Sequence, residues 1–170
     1  RIDVLTMSHA LEVVEATPDH ALGRVGGAVL YIWRGVTTVR AANRLRQLSS
    51  EARADAGDGE GILLGVVTEG APPPEADARG GLAEVLSSGA GYFQVSALVC
   101  EGAGFHGSMV RAVATGLNLL ARPPFPHRVF ATVPSATEWL DERARAAGLT
   151  RYRASDVASQ MEALRAAPMR

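Results

Sequence analysis

At 170 residues the chain has the length of one domain, large enough to bury a core without metal or disulfide staples. A 47% hydrophobic fraction and 21% charged residues exclude a disordered chain. A net charge of −1, with no basic stripe carrying interleaved aromatics, argues against a non-specific nucleic-acid or membrane-surface binder.

Residue types narrow the chemistry further. All 17 basic residues are arginine, so a P-loop lysine and a Schiff-base lysine are excluded. Cys100 is the single cysteine, which excludes an intramolecular disulfide and a cysteine-rich zinc site. No apolar run approaches the length of a membrane span. The start, Arg1-Ile2-Asp3-Val4-Leu5, shows neither an initiator Met nor a signal-peptide pattern, giving the expectation of a trimmed or processed chain in the cytoplasm.

In chain order, Ala10–Ala16 reads as an edge strand of mixed polarity. Thr17-Pro18-Asp19-His20 is turn chemistry, and Gly23, Gly26 and Gly27 loosen the approach to Ala28–Trp33, a nearly all-apolar central strand. Thr37 or Thr38 caps a helix whose inner face carries Ala42, Leu45, Leu48 and Ala52. Ile62–Thr68 is the next buried strand. Pro72-Pro73-Pro74 then leads stiffly into a helix from about Glu75 to Ser87, with Gly80 and Gly81 each costing it about 1 kcal/mol relative to Ala. Such a helix is short, broken, or closely packed.

Val95–Cys100 is another short apolar strand, followed by the glycine-rich turn Glu101–Gly107. Ser108 opens a helical pattern in which Met109, Val110, Val113, Leu117 and Leu120 recur at three- and four-residue spacing. Prolines at 123, 124 and 126 return the chain to a strand at His127–Val133. Ser135 and Glu138 form a capping box for a helix ending near Gly148. Ser155–Ala167 offers a further short helix. The reading is a single α/β domain over 1–150, with a mainly parallel five-stranded sheet covered by helices on both faces, and a C-terminal tail at 151–170.

Three strands finish in a charged residue and a glycine: Arg34-Gly35, Glu69-Gly70 and Glu101-Gly102. In a parallel sheet these gather at the carboxyl edge, where open α/β folds bind ligands. Arg34 there would hold an anion, and Glu101 or His106 would move protons. The plainer alternative is a chain emerging into water, with a weak Arg–Glu pair. Gly102, Gly104 and Gly107 match the G-x-G-x-x-G spacing between a strand and a helix, but no acidic residue ends the next strand to hold a ribose. A tight turn explains the glycines more simply. Cys100 reads as a small core residue, and the histidines at 9, 20 and 127 show no metal-ligand spacing. No complete catalytic set, metal site or cofactor motif emerges.

The strand Ala28–Trp33 running into Arg34-Gly35 and a helix, and the strand His127–Val133 leading into the Ser135–Glu138 cap and Trp139-Leu140, resemble the STAS domain of sulfate transporters and anti-sigma factor antagonists. The resemblance covers about 10–148. It implies a non-enzymatic module that binds a protein partner, and the candidate surface is the carboxyl edge of the sheet, from Glu69–Asp77, with Glu75 between them, across to Glu101–Ser108. In the regulatory branch of the family a Ser or Thr at the start of the second helix is phosphorylated. Glu69–Leu86 holds neither, so no phosphosite carries over. The alternative expectation is a small-molecule or nucleotide binder, or an enzyme, using the 102–107 turn. A homodimer through Trp33 or the tail helix is the third.

Overall fold

A computed structural model describes residues 10–150 and 152–170, with the side chains of Phe105 and Leu120 left out. His9 falls outside these residues. Six strands form one sheet in sequence order: β1 (Glu12–Ala16), β2 (His20–Val25), β3 (Ala28–Trp33), β4 (Gly61–Val67), β5 (Phe93–Cys100) and β6 (His127–Phe130). β1 to β3 pair antiparallel as a meander, and β3 to β6 run parallel. The crossover helices are α1 (Val39–Ala56), α2 (Ala76–Ser88) and α3 (Gly104–Ala121). Because the strand order advances in one direction, crossovers of one hand put all three on one face. α4 (Val133–Ala146) and α5 (Ala154–Arg165) cover the other.

The class is the expected mainly parallel α/β sheet with helices on both faces, built from six strands where the sequence suggested five. The extra strand is β2, which the glycines at 23, 26 and 27 disguised. Its smallness has a cause: Ala21 and Gly23 lie under α5, and a Cβ on Gly23 would stand 3.2 Å from Leu164 Cδ1. The segment beyond 151 forms α5, whose Val157, Met161 and Leu164 are buried in the same core cluster as Leu30, Ile32 and Leu64.

Most helix expectations hold with shifted ends. Thr38 caps α1, accepting from the Ala41 amide at 3.2 Å, and the inner face is buried as expected. α2 is continuous, because Gly81 packs against Ala42 closely enough that an added Cβ would meet the Ala42 Cβ at 3.1 Å. α4 begins one turn earlier than the Ser135 capping box: Thr132 is the cap, accepting from the Ser135 amide, with Pro134 in the first turn. α3 begins at Gly104, so the glycine turn supplies its first turn.

The amino edge of the sheet is tied by two tyrosine hydroxyls. Tyr92 donates to the Gly27 carbonyl at 2.6 Å, and Tyr152 donates to the Glu60 carbonyl at 2.8 Å. A Cβ on Gly27 would lie 2.6 Å from the Tyr152 hydroxyl and 2.7 Å from the Glu60 carbonyl oxygen. Gly27→Ala is therefore expected to lower unfolding free energy by about 1–3 kcal/mol through overpacking, read from chemical denaturation.

Candidate functional site

The two faces of the sheet are filled differently. Against α4 and α5, Leu30, Ile32, Leu64, Val66, Val95 and Val99 close into a continuous core. On the other face, α1 packs Leu45 and Leu48 onto Val29, Tyr31 and Leu63, but the space between α2, α3 and the sheet stays open. The gap is a cavity of about 360 Å³. Tyr31, Leu63 and Leu98 form its floor, Leu82 and Leu86 of α2 one wall, and Val110, Val113 and Leu117 of α3 the other. The Pro72-Pro73-Pro74 connector lies at the carboxyl end, and His127 at the amino end.

Local sequence explains the shape. Gly65 in β4 leaves room for the Tyr31 ring, which an added Cβ would strike directly. The ring thus lies across the sheet beneath the helices. α3 has the periodicity of a core helix, yet Met109 and Val113 are 49% and 53% exposed. Those two residues therefore belong both to the cavity wall and to its mouth.

Burial sets the protonation of the lining groups. It pushes the Cys100 thiol up to about 11, against the lowering influence of the nearby Arg111, so the group is a thiol at neutral pH. Tyr31 is raised by burial and, secondarily, by Cys100. The His127 imidazole, whose Nδ1 lies 2.8 Å from the Ser96 hydroxyl, is lowered to about 4 by burial. Every titratable group buried along this wall is thus neutral at pH 7. Arg79 and His106 line the cavity from exposed positions at its rim.

The residues expected to form one polar site at the carboxyl edge are divided between the two faces. Glu101 faces α5, where Arg165 takes it in a bidentate pair at 2.8 and 3.0 Å. Arg34 points to the same side. One of its terminal nitrogens donates to the Arg165 carbonyl at 3.5 Å near the end of α5. His106 sits instead at the cavity rim, and Glu69 is exposed beside Gly102. A shared acid–base centre of Arg34, Glu101 and His106 is therefore absent. Glu75 and Asp77 are exposed at the start of α2, and Ser108 is exposed in the second turn of α3. Trp33, expected as a dimer contact, is 5% exposed and lines the cavity.

The glycine turn has a packing role. Gly102 and Gly104 have φ of 124° and 75°, where side chains are strained, and a Cβ on Gly107 would collide with the Gly102 carbonyl. Arg111 donates to the carbonyls of Cys100 at 3.3 Å and Gly102 at 3.1 Å, filling the turn from within. Among the described residues no group of three His, Cys, Asp or Glu is placed to hold a metal ion. The cavity escaped sequence reasoning; its traces were Gly65 in an apolar strand and a helix rich in medium-sized side chains.

The His127 shift has a sign. With its folded value below the ordinary one, the unfolded chain binds the extra proton, so stability is lost as pH falls from about 6.5 towards 4. The loss is expected to reach roughly 3 kcal/mol over that window. Denaturant unfolding of the protein and of His127→Gln across it checks this: the variant's pH dependence should be flatter by that amount.

No family model and no curated protein matches the chain. Among solved structures it is similar to an uncharacterized protein of the DUF3478 family with a SpoIIAA-like fold, from Shewanella loihica PV-4. The TM-score is 0.50 at 18% identity, over 78% of this chain and 94% of that one. No described helix is long and apolar enough to cross a membrane. What the likeness establishes is architecture: the chain has a SpoIIAA-like, STAS-like fold.

Proposed function

We propose that this chain is a binding module for a small apolar molecule, held in the cavity between α2, α3 and the sheet. The carrying observation is the cavity itself. About 360 Å³ of space lined by leucine, valine and aromatic side chains falls in the size range of ligand sites, whereas native cores ordinarily close such voids. One end of it reaches the carboxyl ends of β3, β4 and β5, at Trp33, Val67 and Cys100, the edge at which open parallel sheets bind ligands. Loss of dispersion contacts along an unfilled wall costs stability, and an occupant restores those contacts.

The rim supports a second function, the docking of a protein partner at the same end. Met109 and Val113 are half exposed beside the exposed Pro72 and Pro73, and Glu75 and Asp77 stand nearby in sequence at the start of α2. A STAS-like module that senses a ligand and presents this rim to a partner combines the two.

A neutral solvatochromic naphthalene dye such as prodan tests the first function. Its emission is expected to shift to the blue on binding, and Ala114→Trp, which fills the cavity from α3, is expected to abolish the shift while leaving the unfolding midpoint within a few degrees. Unchanged dye uptake by Ala114→Trp, or no uptake by the parent, would remove the cavity as the site and leave the rim surface in front.

A further inference from the structure

Two largely buried residues present hydroxyls to the cavity that make no hydrogen bond to another described residue. Tyr31 is 6% exposed and Thr37 3% exposed. Neither side-chain hydroxyl bonds to another described residue, although the Thr37 carbonyl accepts from the Glu75 amide at 3.1 Å. The other buried tyrosines behave differently, since Tyr92 and Tyr152 both donate to backbone carbonyls. Neither the Tyr31 nor the Thr37 hydroxyl oxygen is among the fully enclosed polar atoms left without a partner, so each keeps access to the space of the cavity. Tyr31 is moreover held in place: it spans the space left by Gly65, and its ring lies 5.4 Å from that of Trp33. A hydroxyl fixed in a mostly apolar cavity, open to it and engaged by no described residue, is placed to bond to a molecule that enters.

The remaining lining defines what enters. The wall along α3 runs from His106 to Leu117, eleven residues apart, or about 16 Å at the rise of a helix. Apolar side chains line most of that length. The buried Tyr31 and Cys100 and the partly buried His127 are neutral, and among the described residues no buried cation or carboxylate lines the cavity to pair with a charged head group. Arg79 is a rim cation in water, where its attraction for an anion is screened.

We propose that the cavity takes an uncharged, elongated, mostly hydrocarbon molecule carrying a hydrogen-bonding oxygen, and that the Tyr31 hydroxyl selects it by bonding to that oxygen. This rests on the cavity being the ligand site. Thr37 is the second hydroxyl available to the same oxygen or to a neighbouring one. Tyr31 here positions and selects the ligand and performs no chemistry.

The test uses four probes of matched length, 1-octanol, nonane, octanoate and octylamine, with Trp33 emission as the reporter because that tryptophan lines the cavity. The parent protein is expected to bind 1-octanol at least tenfold more tightly than octanoate or octylammonium. Tyr31→Phe is expected to weaken 1-octanol about threefold to tenfold, the worth of one hydrogen bond, and to leave nonane unchanged or tighter. If 1-octanol and nonane both bind and neither responds to Tyr31→Phe, the cavity remains a ligand site and the role of Tyr31 is overturned. Octanoate binding more tightly than 1-octanol would overturn the uncharged class in favour of an anionic amphiphile met at Arg79. Binding of none of the four would overturn the cavity as a site altogether. The ranking of probes on the parent protein decides the charge question even where Tyr31→Phe fails to fold.

Discussion

Everything about this molecule follows from the need to roof both faces of a parallel sheet, and from its incomplete fulfilment on one side. β3, β4 and β5 are apolar on both faces, so each face must be shielded from water. α4 and α5 do this completely, and small residues at 16, 21, 23 and 28 let α5 approach. Across the sheet α1 packs tightly, and α2 packs on α1 through Gly81 and Ala42. α3 carries apolar side chains towards the same face, but none that is described reaches across to fill the space in front of Tyr31 and Leu98. The cavity is what an unfilled third of a roof leaves behind.

The polar groups at the two edges keep that frame in place. At the carboxyl edge, Arg165 clamps Glu101 and Arg111 holds the carbonyls of the strand-to-helix turn. At the amino edge two tyrosine hydroxyls reach backbone carbonyls far away in sequence. Charged strand ends that seemed to promise acid–base chemistry are thus engaged in fastening helices to the sheet. The arginines at 111 and 165 act as multi-donor ties, a role suited to the planar guanidinium.

The alternation of strands and helices was legible in the sequence because each element carries its own period. The inner face of α1 at Ala42, Leu45, Leu48 and Ala52 shows this most plainly. β2 was illegible for a physical reason. Its α5-facing residues Ala21 and Gly23 are small to admit that helix, and a segment with glycines at 23, 26 and 27 reads as turn. The α4 cap was misplaced by three residues because Thr132 and Ser135 are both competent caps, and only the path of the chain out of β6 decides between them. The site was harder still. Val110, Val113 and Leu117 have the spacing of any core helix, and a void is a property of several elements together, with no residue pattern of its own. For Arg34, Glu101 and His106 the sequence could not say on which face of the sheet each side chain would lie.

The most direct measurement is a crystal structure of the protein under xenon pressure, since apolar cavities admit xenon. Xenon density is expected between Leu63, Leu86 and Val113, with α3 in place and the Tyr31 ring lying across Gly65. An α3 collapsed onto the sheet, with no space for a xenon atom between those three residues, would contradict it.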